Sequence, residues 1–243
     1  MTKGLFFDIG NTLAADPFPH AVSVLVEAFV DRGLIAPLQT QRSIAELARA
    51  NETVDGVGFS HFWGEEEIFV EAFRALGLAA GSAFVSESLA IYREAATSAY
   101  RTNPELLAMS PSDLRNLLTR AKELGFVIGV VSDERQASIP RYWAILEIGD
   151  LVDVVVTSEE IGVGKPHRRI FETALQRAQT PADRSIYVGN DYAKDIVGAR
   201  TLTMRTVYYT RFNQRRPSEQ EVADLVTDQL SDLLDLLRLP ELT

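Results

Sequence analysis

The first segment with clear chemical potential surrounds Asp8. This carboxylate follows an apolar run over residues 4–7 and precedes a Gly-Asn-Thr turn over residues 10–12. Short apolar runs bounded by turn residues are typical of buried strands, and open α/β sheets bind ligands at the carboxyl edge of their strands. A carboxylate at that edge can act as a nucleophile and form a covalent intermediate. Asp8 is therefore the first candidate catalytic residue.

Three further segments carry residue types suited to the same chemistry. An apolar run over residues 128–131 ends in Ser132, whose hydroxyl could bind a transferring group or could cap the next helix. Lys165 precedes a proline, which keeps it extended; a solvated surface lysine is the alternative. A last apolar run ends at Gly189 and is followed by clustered acids over residues 190–195. Like charges repel unless a cation is bound, so this cluster indicates a metal or ligand site.

Together, the four segments resemble the sequence pattern of the haloacid dehalogenase superfamily. That pattern consists of a strand ending in a nucleophilic Asp, a second strand ending in Ser or Thr, a Lys-Pro pair, and a Gly-Asp-x(3–4)-Asp segment. The corresponding positions here are Asp8, Ser132, Lys165-Pro166 and residues 189–195. The resemblance implies a doubly wound, parallel-sheet α/β core of the Rossmann-like type. It also implies a hydrolase that acts through an aspartyl covalent intermediate, with a small helical cap.

The resemblance assigns a role to each candidate residue. Asp8 would attack the substrate, while Ser132 and Lys165 would bind the transferring group and offset its charge. The substrate-binding set implied in this way is Asn11, Thr12, Ser132, Asp133 and Lys165. Mg²⁺ is the implied cofactor, because it would offset phosphate charge. Its predicted ligands are Asp8, the Gly10 carbonyl, Asn190, Asp191 and Asp195.

Two positions depart from the pattern of the superfamily's phosphatases. Those enzymes carry a second Asp two residues after the nucleophile, which protonates the leaving group and later activates water. Here that position is Gly10, which has no side chain to transfer a proton. The loop position that usually supplies a metal-binding Asp is Asn190, and the adjacent Asp191 is an alternative ligand. His20 is one candidate replacement for the missing acid.

Three functions compete for these residues. A Mg²⁺-dependent phosphatase acting on a small phosphorylated metabolite is favoured. A dehalogenase is the second, since dehalogenases of the superfamily also lack the second Asp and the charged metal ligand; Asp133, however, would place a negative charge where a halide needs a donor. A catalytically weak or non-catalytic ligand-binding protein is the third. The presence of Asp8, Ser132, Lys165 and Asp195 together favours an enzyme over a binder.

The elements that must position these residues follow a simple order along the chain. A first strand is predicted at residues 5–8, and residues 17–104 show only helical patterns, including a helix at 41–50. Strands at 126–131, 153–157, 185–188 and 205–208 then alternate with helices, and a final helix is predicted at about 218–237. This order predicts a catalytic core of residues 1–16 and 105–243 with a helical cap of residues 17–104. The cap is expected to act as a lid, and its aromatic segment at 56–64 either packs the cap helices or reaches over the pocket.

Composition limits the partners and the compartment. The 243 residues include 34 acidic and 24 basic side chains, with a net charge of −10. This acidic balance disfavours nucleic acid and anionic membranes as partners and leaves a small-molecule substrate. The absence of cysteine excludes thiolate catalysis, disulfides and cysteine-ligated zinc. With neither a signal-peptide pattern nor a bilayer-spanning apolar run, a cytoplasmic protein is expected; the oligomeric state is not specified by the sequence.

Overall fold

The computed structural model describes residues 2–36, 39, 42–43, 65–78, 81–213 and 223–238. The chain divides into two compact units, one formed by Met1–Ala15 with Glu105–Thr243 and the other by Asp16–Pro104. They are called the sheet unit and the helical unit below. The aromatic segment at 56–64, and nearly all of the helix predicted at 41–50, lie outside the described residues.

A six-stranded parallel sheet forms the centre of the sheet unit. Its strands are β1 (Lys3–Phe7), β2 (Phe126–Ser132), β3 (Val154–Thr157), β4 (Ser185–Gly189), β5 (Arg205–Tyr209) and β6 (Leu225–Thr227). Their spatial order is β3-β2-β1-β4-β5-β6, and all neighbouring strands run parallel. The strand order reverses between β1 and β4, and in open α/β sheets the ligand crevice lies at the carboxyl ends beside such a reversal. The predicted doubly wound α/β fold is confirmed.

Helices alternate with the strands of the sheet unit, and further helices form the helical unit. The α-helices of the described residues are α1 (Phe18–Asp31), α2 (Glu65–Ala75), α3 (Ser82–Thr102), α4 (Pro111–Glu123), α5 (Ile139–Leu146), α6 (Ser158–Ile161), α7 (Arg168–Ala178), α8 (Gly198–Arg200) and α9 (Leu233–Leu236). Single 3₁₀ turns cover Pro104–Leu106, Gln136–Ser138, Ala182–Arg184 and Leu230–Asp232, and a π-helix covers Tyr192–Val197. No helix in the described part of the chain combines the length and apolar character needed to cross a bilayer.

The central strands are buried on both faces. Every residue of β1 and β4 is buried, as expected for parallel strands covered by helices on each side. Gly129 in β2 is required by this packing, because a Cβ at that position would lie 2.3 Å from the Phe6 ring. Phe6 in turn belongs to a core cluster with Phe171 and Tyr187. Dense packing at the centre of the sheet fixes the positions of the strand ends.

An aromatic cluster holds the described helices of the helical unit together. Phe29 of α1 contacts Phe73 of α2 and Phe84 of α3, with ring centroids 5.5 Å and 5.3 Å apart. Phe73 and Phe84 are themselves 5.0 Å apart. Each helix therefore contributes at least one ring to a shared core, which explains why the sequence of this region shows helical apolar spacing.

The C-terminal segment differs from the predicted helix at 218–237. Among residues 223–238 the structure has strand β6, a 3₁₀ turn at Leu230–Asp232 and the short helix α9. The prediction of a continuous helix is wrong over residues 225–232. Leu225 and Val226 pair with β5. The edge of β5 offers backbone hydrogen bonds to this segment. A local helical pattern in the sequence does not reveal such pairing with a distant strand.

Candidate active site

The candidate residues lie at the carboxyl ends of the three central strands. Asp8 directly follows β1, Ser132 ends β2, and Asn190 directly follows β4. Because β1 lies between β2 and β4, the sheet brings these three positions to one edge. The Asp8 backbone N–H donates to the Val188 carbonyl at 2.9 Å, so regular strand pairing continues up to Asp8 itself.

The Asp8 carboxylate is buried and held by three side chains. Its Oδ1 accepts a hydrogen bond from Ser132 Oγ at 3.1 Å and lies 2.8 Å from Lys165 Nζ. Its Oδ2 lies 3.5 Å from Thr12 Oγ1. Asp8 is only 6% exposed. Side chains from three segments, the Asp8 turn itself included, therefore converge on one carboxylate and fix its orientation, which nucleophilic catalysis requires.

Lys165 bridges two carboxylates in the interior. Its Nζ lies 2.6 Å from Asp195 Oδ1 as well as 2.8 Å from Asp8 Oδ1, and the residue is 2% exposed. Burial acts to lower the pKa of Lys165, but the carboxylates of Asp195 and Asp8 reverse this effect and raise the pKa well above its ordinary value. The side chain therefore remains an ammonium. With both acids ionised, these three groups carry one positive and two negative charges.

The buried carboxylate of Asp195 holds the Lys165 ammonium in place. Its Oδ1 also accepts a hydrogen bond from Tyr187 Oη at 3.2 Å, and its Oδ2 accepts one from the Asp191 backbone N–H at 2.9 Å. Burial raises the pKa of Asp195, while the Lys165 ammonium acts in the opposite direction. Gly189 makes room for the carboxylate, because a Cβ there would lie 2.4 Å from Asp195 Cγ. The arrangement suits an orienting role for Asp195.

The loop after β4 joins the Asp8 turn through Thr12. Thr12 is fully buried, and its Oγ1 lies 3.2 Å from Asn190 Oδ1. Asp191 instead accepts a hydrogen bond from the Lys194 backbone N–H at 2.9 Å and so caps the π-helix at Tyr192–Val197. The amide of Asn190 is therefore the loop side chain directed toward the Asp8 turn.

The available oxygen atoms limit which cation this edge could bind. In the part of the chain that the structure describes, no group of three or more His, Cys, Asp or Glu side chains is placed to hold a metal ion. Of the predicted ligands, Asp8, Asn190 and the Gly10 carbonyl would supply oxygens but only one negative charge. Mg²⁺ accepts oxygen ligands of this kind and is often held by one or two carboxylates together with waters and substrate phosphate. This donor set fits Mg²⁺ when an anionic substrate shares the ion.

The remaining predicted site residues have clear local roles. Asn11 has a positive φ of 54°, and its backbone N–H closes the turn on the Ala14 carbonyl at 2.7 Å. Asp133 Oδ1 accepts a hydrogen bond from the Lys165 backbone N–H at 3.0 Å, so this acid positions the lysine segment. His20 is exposed in α1 of the helical unit. The catalytic, substrate-binding and metal-binding roles assigned to the individual residues remain predictions.

Three residues near this edge were missed by sequence reasoning. Tyr187 shares a strand face with Gly189, so period-two alternation could have placed it beside Asp195. Asn213 donates to the Asn190 carbonyl at 3.1 Å, but it lies in an irregular segment with no motif. Glu134 follows the end of β2, and its carboxylate approaches Gly10, where a built Cβ would lie 3.6 Å from Glu134 Oε1; this proximity depends on the path of the chain after β2.

The fold and the residues at this edge describe a Rossmann-like α/β protein with a buried carboxylate at the strand reversal. The chain belongs to the haloacid dehalogenase-like hydrolase family, whose pattern matches residues 74–209, more than half of the chain. The resemblance inferred from the sequence motifs is thereby confirmed.

Two relatives and one solved structure illustrate the similarity. A glyceraldehyde 3-phosphate phosphatase of Methanocaldococcus jannaschii is 25% identical over 242 residues, which cover 98% of each chain. A ribulose-1,5-bisphosphate 5-phosphatase of Halopiger xanaduensis is 28% identical, covering 98% of this chain and 100% of that protein. The crystal structure of a 2-haloacid dehalogenase from Pseudomonas syringae pv. Tomato DC3000 is similar with a TM-score of 0.69, at 21% identity and 98% coverage of each chain. That structural similarity shows a common fold alone.

Proposed function

We propose that this hydrolase is a phosphatase that cleaves a small phosphorylated metabolite through an acyl phosphate on Asp8. One observation carries the proposal: the Asp8 carboxylate is buried and oriented by the Lys165 ammonium and the Ser132 hydroxyl, at 2.8 Å and 3.1 Å. A cation and a hydroxyl donor beside a nucleophile suit the transfer of an anionic group. The near-full-length relatives named as phosphatases support the same chemistry.

The chemistry divides into two displacements at phosphorus. An oxygen of Asp8 forms a bond to phosphorus while the bond from phosphorus to the substrate oxygen breaks. Water then attacks the acyl phosphate, which releases inorganic phosphate and restores the Asp8 carboxylate. In both steps Lys165 offsets the negative charge of the phosphoryl group, and Ser132 can donate a hydrogen bond to one of its oxygens. Asp195 keeps the ammonium in place through their contact at 2.6 Å.

Charge balance favours a divalent cation in this reaction. The ammonium of Lys165 is already shared between Asp8 and Asp195, so these groups alone would repel a phosphate dianion. We propose that Mg²⁺, held by Asp8, the Gly10 carbonyl and Asn190, supplies the missing positive charge when it is bound. Asp195 and Asp191 were also predicted as ligands. Their existing contacts favour supporting roles instead.

The names of two relatives support a substrate class. Their names specify sugar phosphates, glyceraldehyde 3-phosphate and ribulose-1,5-bisphosphate, and we infer a small sugar phosphate for this chain as well. We further propose that the helical unit is the cap predicted from the sequence and selects among such esters. The helical unit is inserted after the strand that precedes Asp8, and a unit inserted there is suited to act as a lid that selects substrates.

A phosphate-release assay over an array of sugar phosphates with Mg²⁺ tests the proposal. We expect the wild type to be active, and Asp8→Asn to be inactive, on the same substrates. Asp183→Asn is the matched control, because Asp183 is exposed in the 3₁₀ turn before β4, at the opposite end of that strand. Turnover that survives in Asp8→Asn would contradict an acyl phosphate at this residue. Activity that is lost in Asp183→Asn as well would attribute the loss to damage to the fold.

Carbon–halogen hydrolysis is the second candidate function. Gly10 and Asn190 favour it, since neither supplies the carboxylates that phosphatases of the superfamily use. Asp133 argues against carbon–halogen hydrolysis. Its carboxylate accepts a hydrogen bond from the Lys165 backbone N–H and places negative charge beside the site. Chloride release from 2-chloropropionate, lost in Asp8→Asn, would establish this function in place of phosphate release.

A further inference from the structure

Position 10 lacks a side chain, but the space beside it contains a carboxylate. A Cβ built on Gly10 would meet Glu134 Oε1 at 3.6 Å, and no other heavy atom of the described residues, chain neighbours aside, would lie within 4 Å. An aspartate at position 10 would extend its carboxyl group from this same Cβ. Glu134 therefore approaches, from the opposite direction, the region that the second aspartate occupies in the superfamily's phosphatases.

The Glu134 side chain is held in place by a buried neighbour. Tyr142 Oη donates a hydrogen bond to Glu134 Oε1 at 3.0 Å, and Tyr142 is 2% exposed. The Glu134 backbone N–H donates to Ser132 Oγ at 3.2 Å, and that hydroxyl contacts Asp8 at 3.1 Å. Glu134 itself is only partly buried. Its carboxylate is thus oriented by a buried hydroxyl, in a residue that is not sealed within the core.

We propose that Glu134 is the general acid and base of this enzyme and replaces the absent aspartate at position 10. The inference rests on the proposed phosphatase function. In the first step the Glu134 carboxyl group gives its proton to the substrate oxygen as the bond between that oxygen and phosphorus breaks, which releases a neutral alcohol. In the second step the Glu134 carboxylate accepts a proton from the water that attacks the acyl phosphate, as the bond between phosphorus and Asp8 breaks. The proton lost in the first step is regained in the second.

A leaving-group comparison distinguishes this catalytic role from a structural one. A general acid contributes about 10²–10⁴-fold when the departing alkoxide is a strong base, whereas p-nitrophenolate departs without protonation. In Glu134→Gln we therefore expect kcat/KM for an alkyl phosphate to fall by about 10²-fold or more. With p-nitrophenyl phosphate the same variant should release one rapid equivalent of nitrophenol per active site. Phosphorylated Asp8 should then accumulate, because its hydrolysis lacks the base.

Two further variants control for folding and for local charge. Glu134→Gln with Gly10→Asp should regain turnover and lose the burst, since a Cβ at position 10 would approach the Glu134 carboxylate at an ordinary van der Waals distance. Glu159→Gln makes the same chemical change at an exposed acid, whose carboxylate accepts a hydrogen bond from the Gln136 backbone, and should behave as wild type. Urea midpoints of all variants should agree with the wild type if the fold is intact.

The possible results separate this inference from the proposed function. Wild-type rates on both esters in Glu134→Gln, with Asp8→Asn inactive, would overturn the role of Glu134 and leave the phosphatase proposal standing. Equal losses on both esters, with no phosphorylated Asp8 and no rescue by Gly10→Asp, would assign Glu134 a structural role and also overturn the inference. A wild type without Asp8-dependent phosphatase activity on either ester would overturn both proposals.

Discussion

At the scale of single residues, the site depends on one buried ammonium between two carboxylates. Lys165 contacts Asp8 and Asp195 at 2.8 Å and 2.6 Å, and all three residues are at most 6% exposed. Removing one partner of a buried ion pair leaves an uncompensated charge in the interior, which is more costly than the pair itself is stabilising. The same lysine is the cation that we propose to meet the phosphoryl group, so stability and activity share this residue.

Substitution of Lys165 tests both consequences. Lys165→Met should lower the free energy of unfolding by about 3–5 kcal/mol and reduce kcat by about 10²-fold or more. Adding Asp195→Asn removes one of the two orphaned charges, so urea denaturation should show recovered stability without recovered activity. Lys122→Met is the control, because Lys122 is partly exposed and pairs with Asp153; its loss should cost about 1 kcal/mol or less. Full activity in Lys165→Met would contradict the assigned role.

At the scale of elements, the end of β4 and the following π-helix position Asp195. The carboxylate packs directly against the backbone of Gly189, where a Cβ would lie 2.4 Å from Asp195 Cγ. The Asp191 backbone N–H then holds the second carboxylate oxygen at 2.9 Å. The π-helical turn at Tyr192–Val197 thus places the Asp195 carboxylate against the end of β4.

Gly189→Ala should therefore displace Asp195 and disturb Lys165. We expect a loss of about 1–3 kcal/mol in stability, typical of overpacking, together with reduced kcat, measured by urea denaturation and steady-state kinetics. Gly81→Ala is the control, since no atom from the described part of the chain, apart from the chain neighbours of Gly81, lies within 4 Å of a Cβ at that position and its φ of −68° suits alanine. If Gly189→Ala retained wild-type kinetics, close packing at this glycine would have no role in orienting Asp195.

Much of the element order could be predicted from the sequence, for physical reasons. Buried parallel strands such as β1 and β4 each contain an apolar run after one polar first residue, so they stand out against amphipathic helices. β6 could not be found in this way, because Leu225–Thr227 is short and forms by pairing with β5. Its local pattern fits a helix equally well.

Which side chains meet at the candidate site could be predicted only in part. Strand-end residues such as Asp8 and Ser132 are placed by topology alone, because parallel strands end at one edge. The contacts of Asp195 with Tyr187 and of Glu134 with Tyr142 depend instead on how the chain turns after β4 and β2. No local pattern encodes such turns, so the acid nearest to Gly10 emerged only from the fold.

At the scale of the whole molecule, several buried groups link stability to alkaline pH. Burial raises the pKa of Tyr209 from 10.0 to about 12, and burial also raises the pKa of Tyr187 well above its ordinary value. The pKa of Lys165 is raised as well. Above pH 10 the unfolded chain loses these protons while the folded protein keeps them. Stability must therefore fall as pH rises through this range.

Tyr209 offers the clearest test of this linkage. The residue is fully buried, with its hydroxyl 3.5 Å from the Ala108 carbonyl. Each such group contributes a slope of about 1.4 kcal/mol per pH unit between its unfolded and folded pKa values. The stability difference between wild type and Tyr209→Phe, from urea denaturation, should be constant below about pH 10 and should shrink above it. A constant difference up to about pH 12 would contradict the raised pKa.

The most direct test of the account is to identify the covalent intermediate. The enzyme would be mixed with Mg²⁺ and its best phosphorylated substrate, quenched in acid during turnover and digested, and its peptides would be analysed by mass spectrometry. The account predicts one phosphoryl group on Asp8, absent from Asp8→Asn and more abundant in Glu134→Gln. Steady turnover without a phosphoryl group on Asp8 in either the wild type or Glu134→Gln would contradict it.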